Sequence, residues 1–261
     1  MKEFELLIKT AKAETGYHEV GTNGNKFAEY IDKNFPDFYN GKKAWDYVNG
    51  TAHGGAEWCD IFVDANFLKC FGEEKTLYML CQPRKSCGAG CKYSAGYYRS
   101  HNRWGHEPKI GAQIFFGRQG NESHTGIVID VNNGFVLTVE GNSNNAVVQR
   151  AYAITNSNIA GYGYPRYSDE EVINTGEKYP GVFPTLPARG YFQRGDKGVN
   201  VTRLMQFLKW YNPTYFPKYG IDGKFGNEVL TAVLDFEGRE GIKQDGLCGP
   251  VCLKRAKEIR K

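Results

Sequence analysis

The segment Gly126-Ile-Val-Ile-Asp-Val-Asn-Asn-Gly-Phe-Val-Leu-Thr-Val-Glu140 constrains the fold of this chain more than any other. Apolar residues alternate with others on both sides of Asn132-Asn133-Gly134, the pattern of two antiparallel strands joined by a tight turn. Two registers compete. A three-residue loop sets Val131 against Phe135, and with it Ile129 against Leu137 and Ile127 against Val139, so one face is apolar throughout. A two-residue loop sets Asn132 against Phe135, Ile129 against Thr138 and Ile127 against Glu140, which dismantles that face. A one-residue slip turns every side chain to the wrong side, so the three-residue register is expected. Gly134 supplies the left-handed backbone such a loop needs at its last position.

The register has a chemical consequence on the other face of the hairpin. His124 falls opposite Asn142, and Glu140 lies diagonally across on the same side. A histidine within reach of a carboxylate and an amide is a base whose tautomer and orientation are fixed. Gly126, opposite Glu140, leaves room for the carboxylate.

A nucleophile for that base stands earlier in the chain. Gly54-Gly55 interrupts the pattern before Trp58-Cys59-Asp60, and apolar residues then recur at Ile61, Phe62, Ala65 and Leu68 with helical spacing. Cys59 therefore opens a helix, where the dipole and unpaired N–H groups favour its thiolate and offer an oxyanion site. Cysteines in apolar-periodic segments are usually inert core residues, and Cys70 and Cys252 are read that way. His18, His53, His101 and His106 have no evident orienting partner; His53, close to Cys59 in sequence, is the rival base.

The rest of the chain frames these residues. Helical patterning fills the N-terminal part, and beyond the cysteine-rich stretch the period changes from 3.6 to 2. Ala112–Phe116, His124–Val131, Phe135–Glu140 and Ala146–Tyr152 read as strands, with a final strand in Gly161–Tyr167. Helices first and strands after gives an α+β class. Ser168-Asp-Glu-Glu171 and the proline-broken Tyr179–Pro187 read as a semi-extended linker, residues 168–190. In residues 191–261, Asp222-Gly-Lys-Phe-Gly226 is echoed by Asp245-Gly-Leu-Cys-Gly249, each before a helical run, and Pro250 suits a first helical position. With Val201, Leu204, Met205 and Leu208 this indicates a compact three-helix module.

The formal charge of +4 concentrates in that module: residues 1–167 carry +1, residues 168–190 carry −2 and residues 191–261 carry +5. A basic module suits a polyanionic partner such as a wall carrying phosphate polymers, or nucleic acid. Seven cysteines, odd in number and irregularly spaced, do not read as a disulfide framework. Cys81, Cys87 and Cys91 lack the paired spacing of a structural zinc site, so no metal is expected. Glu3, Glu5 and Glu14 interrupt any signal-peptide pattern, and no window approaches the roughly 18 apolar residues that cross a bilayer. Synthesis in the cytoplasm without a signal peptide is therefore expected, with no membrane insertion.

Three of these motifs together resemble a known family. Trp58-Cys59-Asp-Ile-Phe-Val63, Ser123-His124-Thr-Gly-Ile-Val128 and Val139-Glu140-Gly-Asn142, in that order, are similar to the signatures of CHAP domains, the cysteine, histidine-dependent amidohydrolase/peptidases. Ile159–Gly163 resembles the closing strand of phage-type members. The resemblance covers residues 1–167 and implies a papain-like fold, with Cys59 as nucleophile, His124 as general base and acid, and Glu140 with Asn142 orienting it. Asp60 departs from the family's usual alanine. Some members bind calcium in an acidic loop before the cysteine; here Asp46–His53 holds one carboxylate, and no calcium or other cofactor is expected. Residues 191–261 resemble the helical peptidoglycan-binding module of wall hydrolases. The two resemblances imply substrate contacts from Trp58 in the first part and from Asp222, Gly223, Phe225, Asp245 and Gly246 in the second.

Taken together, these resemblances imply a monomeric peptidoglycan hydrolase, an endolysin of phage or prophage type that reaches the wall after release, rather than a nucleic-acid binder. An amidase cutting before L-alanine and an endopeptidase cutting within the peptide both fit. A cysteine hydrolase of some non-wall amide and a non-catalytic wall-binding protein are the alternatives.

Overall fold

The computed structural model describes residues 1–19, 25–49, 58–85, 87–168 and 178–259. The Gly54-Gly55 break, the rival base His53, most of the acidic start of the linker and the later part of the 46–53 stretch lie outside the described residues. Two compact units divide at Tyr167/Ser168.

The first unit is a mixed α+β structure. Its helices are α1 (Glu3–Lys12), α2 (Lys26–Asn34), α3 (Ala44–Asn49), α4 (Cys59–Met79) and α5 (Cys91–Ser100). Its strands are β1 (Trp104–Gly105), β2 (Gln113–Arg118), β3 (Asn121–Asn132), β4 (Phe135–Glu140), β5 (Val148–Ala153) and β6 (Ile159–Gly163). They form one antiparallel sheet in the order β1-β6-β2-β3-β4-β5. The four expected strands and the closing strand are present. β1 has too short a pattern to read from sequence.

The hairpin turn differs from expectation. Asn132 pairs with Phe135, leaving the two-residue loop Asn133-Gly134, and Asp130 pairs with Leu137 and Val131 with Val136. Asn133 and Gly134 have φ of 47° and 81°, the left-handed pair that an Asn-Gly turn of this kind requires. The preference of Asn-Gly for that turn outweighs the apolar pairing near the tip. A bulge between Val128 and Asp130 then absorbs the one-residue slip, so Ile127 still faces Val139. The expected apolar face survives beside the helices and is lost only at the exposed tip, where Phe135 is 47% exposed.

The sheet packs on α4, whose residues Cys59–Leu68 are all buried, and α1 and α2 cover the other side of that helix. Trp58 stacks on Phe27 at 5.6 Å between centroids, and Phe27 meets Phe62 edge-on at 5.1 Å. These rings fix the start of α4. The chain leaving β4 crosses it closely. A Cβ on Gly141 would lie 2.4 Å from Phe62 Cβ and 2.8 Å from the Trp58 ring, so only glycine fits. Gly141→Ala is expected to destabilise the chain by about 1–3 kcal/mol through overpacking. A thermal melt of the variant checks this; an unchanged midpoint would mean that the contact is loose.

The second unit, Ser168–Lys261, contains α6 (Val199–Tyr211), α7 (Asn227–Arg239) and α8 (Pro250–Glu258). Its core includes Val201, Leu204, Met205, Leu208, Phe225, Val233 and Phe236. Tyr179, Phe183 and Leu186, expected in a semi-extended linker, pack against this core. Their prolines forbid regular structure but not burial of the aromatic rings between them. The two Asp-Gly turns are structural equivalents: Asp222 accepts from Lys224 N and Asp245 from Leu247 N, both at 3.0 Å. Gly223 and Gly246 have φ of 71° and 70°. Among the described residues no helix is long and apolar enough to cross a membrane.

Candidate active site

Cys59 is the first residue of α4, and His124 lies on β3 beside β4, which carries Glu140. The three side chains meet. His124 Nε2 is 2.9 Å from Glu140 Oε2. The Cys59 thiol and the ring act on each other by hydrogen bonding and charge, each shifting the other's pKa. A space that only glycine leaves admits the carboxylate: a Cβ on Gly126 would sit 2.6 Å from Glu140 Cγ.

Glu140 is itself held in place. It is 1% exposed, its Oε1 accepts from the Thr138 hydroxyl, and its Oε2 accepts from the Tyr152 hydroxyl at 3.2 Å. These donors replace the hydrogen bonds that burial takes from a carboxylate. The sequence points to Thr138, two residues before Glu140 and so on the same strand face, but holds no signal for Tyr152.

The protonation states follow from these contacts. The strongest influence on Cys59 is its hydrogen bond with Cys91, which lowers the thiol's pKa. Burial opposes the thiolate, the His124 hydrogen bond and charge favour it, and Asp60 opposes it; the net result is a pKa of about 6. Burial disfavours a charged His124, but the hydrogen bonds and charges of Cys59 and Glu140 outweigh it and push the ring up to about 10. Between those values the pair is a thiolate beside an imidazolium. That is a nucleophile and a proton donor in one contact.

Cys91 is the neighbour that sequence reasoning missed. It is the first residue of α5, and its sulfur lies 3.4 Å from that of Cys59. Asp60 explains the approach. Its carboxylate accepts from Gly90 N at 2.7 Å, Ser94 Oγ at 2.8 Å and Gln113 Nε2 at 3.1 Å, tying the start of α5 and strand β2 to the start of α4.

The remaining expected site residues stand elsewhere. Asn142, half-buried with φ of 56°, turns the chain after β4; the described neighbours of the His124 ring include Glu140, Cys59 and the Phe116 ring, centroids 5.8 Å apart. Trp58 is fully buried, and its indole nitrogen donates to Glu19 at 3.0 Å, so its visible role is to anchor α4. Phe225 is 2% exposed in the second core, and Asp222, Gly223, Asp245 and Gly246 form the two turns described above. Asp222 also lines a cleft of about 310 Å³ and Asp245 one of about 490 Å³. Cys87 donates to Gln82 at 3.0 Å and Cys70 to Thr10 at 3.3 Å. His18 pairs by backbone with Ala146, and His101 Nδ1 lies 2.8 Å from Tyr97 O.

Comparison with known proteins finds a short similarity. A stretch of 34 residues, 13% of this chain, is 50% identical to part of a probable N-acetylmuramoyl-L-alanine amidase of Bacillus licheniformis, of which it covers 10%. No family model matches the chain, and no solved structure does.

Proposed function

We propose that this chain is a cell-wall hydrolase of CHAP type that cleaves an amide of the peptidoglycan peptide by cysteine acyl transfer. The observation that carries the reading is the Glu140–His124 hydrogen bond together with a sulfur at a helix start whose protonation the ring shifts. The short similarity to a probable amidase supports the substrate class. In this mechanism the Cys59 thiolate attacks the amide carbonyl, and the tetrahedral oxyanion takes hydrogen bonds from amides of the first turn of α4, which lack acceptors within the helix. His124 gives its proton to the leaving amine, then removes one from the water that hydrolyses the thioester. Glu140 keeps the ring aligned and balances its charge.

A cleft of about 360 Å³ near the start of α5, whose lining includes Tyr47, Tyr93 and Tyr97, offers stacking surfaces for sugar rings. The second unit acts as the wall-binding module, raising local substrate concentration by tethering. On this reading the chain is an endolysin of phage or prophage type.

Digestion of purified walls tests the proposal, with mass spectrometry of the soluble fragments. New amino groups are expected, on L-alanine for an amidase or within the peptide for an endopeptidase. Intact walls, or new reducing sugar ends without new amines, would refute it.

A further inference from the structure

Two helices begin at the same place in the first unit, each with a cysteine as its first residue. Cys59 opens α4, Cys91 opens α5, and their sulfurs are 3.4 Å apart. Asp60, 1% exposed, holds the two helix starts together through Gly90 and Ser94 of the α5 start. The residue that departs from the family signature is thus the one that brings the second sulfur alongside the first. Neither helix dipole acts alone there: both N-termini stabilise negative charge on the sulfur pair. Cys87 and Cys70, by contrast, are bonded to Gln82 and Thr10.

We infer that Cys59 and Cys91 form an oxidative modification site, a dithiol that a peroxide closes to a disulfide and a small thiol reopens. A disulfide bond is about 2.05 Å long, so the sulfurs need to approach by a little over an ångström, within reach of side-chain rotation. In the first step the Cys59 thiolate attacks one peroxide oxygen. The O–O bond breaks, Cys59 becomes the sulfenic acid, and the departing hydroxide takes a proton from His124 to leave as water. In the second step the Cys91 sulfur attacks the sulfenic sulfur. The S–O bond breaks, the S–S bond forms, and the hydroxide leaves with the Cys91 proton as water. Two thiols and one hydrogen peroxide give one disulfide and two waters. The pair therefore shields Cys59 from irreversible oxidation to sulfinic acid, because Cys91 intercepts the sulfenic acid first. As regulation of hydrolysis this rests on the proposed function; as chemistry of two sulfurs it does not.

The test uses the full reduced chain and dilute hydrogen peroxide, followed by iodoacetamide, proteolysis without reductant and mass spectrometry. A cross-linked peptide pair containing Cys59 and Cys91, lighter by two hydrogens, is expected, and dithiothreitol is expected to restore both alkylatable thiols. In Cys91→Ser, Cys59 is expected as sulfinic acid that dithiothreitol does not recover. Wild-type Cys59 found as sulfinic acid while Cys91 remains alkylatable would overturn the inference. The readout is mass and not activity. Walls that are digested without any cross-link sink only the modification site, whereas a cross-link in a chain that leaves walls intact sinks only the proposed function.

Discussion

Cys59→Ala is expected to reduce wall hydrolysis by at least about a thousandfold while leaving the fold in place. The two halves of that expectation rest on different residues. In the proposed mechanism catalysis depends on the sulfur: among the described residues, Glu140 is closed in by Thr138 and Tyr152, and Phe116, which packs on the His124 ring, is a hydrocarbon. The start of α4, by contrast, is fixed by Trp58 and Phe62 against Phe27, none of which is altered. Cys59→Ser separates the chemistry from the shape. A hydroxyl of nearly the same size keeps the contacts, but its proton is held far more tightly than that of a thiol. It is expected to be nearly as inactive as alanine. Release of new amino groups from purified walls measures both, with circular dichroism and a thermal melt as the folding control. Wall digestion by folded Cys59→Ala at the wild-type rate would end the assignment of Cys59.

The sequence was most legible where one pattern had few solutions. The apolar alternation in 126–140 allowed only one register that kept Ile127 facing Val139, and that pairing is present. Five residues further on the register slips by one, because the backbone preference of Asn133-Gly134 outweighs side-chain pairing there. A bulge at one residue reconciles the two, and bulges leave no periodic signature. The contact of His124 with Glu140 was legible for the same reason as the register: both lie on strands whose period is 2. Asn142 was not, since it sits one residue past Gly141, where the chain has left the sheet and alternation no longer says which way a side chain points.

Asp60 and Cys91 show the opposite limit. In the sequence Asp60 is a carboxylate next to a nucleophile, an influence against its ionisation, and that influence is present. What is absent from the sequence is the partner 30 residues away: nothing periodic connects Asp60 to Gly90 and Ser94. Through that long-range clasp the same carboxylate brings in Cys91, whose hydrogen bond is the strongest influence lowering the Cys59 pKa. Its direct effect and its indirect effect have opposite signs. Similarly, only a resemblance makes the Asp-Gly repeats of the second unit binding residues. Their geometry assigns them first to building turns, with the aspartates accepting from backbone N–H groups two residues on.

The pH dependence of the thiol follows from the pair and not from Cys59 alone. As pH rises through about 6, Cys59 loses its proton and alkylation by iodoacetamide is expected to accelerate to a plateau. In the proposed mechanism hydrolysis needs the imidazolium too, so its rate is expected to fall again as pH rises through about 10, where His124 loses its proton. In His124→Ala both a hydrogen bond and a positive charge that favour the thiolate are gone. The rising limb of alkylation is expected to move to higher pH, and hydrolysis at neutral pH to drop by about 10²- to 10⁴-fold. Glu140 variants then separate charge from orientation. In Glu140→Gln the amide oxygen replaces Oε2 as acceptor for the His124 Nε2–H, and the amide nitrogen faces Thr138. The Thr138 hydroxyl can turn to donate to Arg150 O, 3.5 Å away, and accept from that nitrogen. The ring keeps its tautomer and loses only its counter-charge, so the falling limb shifts to lower pH while the maximal rate falls modestly. Glu140→Ala removes acceptor and charge together, freeing the ring to rotate away from Cys59, and is expected to approach His124→Ala in rate. If glutamine and alanine prove equally damaging with the same pH profile, Glu140 acts by charge alone and the orienting role is wrong. If neither changes the profile, the carboxylate is not coupled to the imidazole in solution.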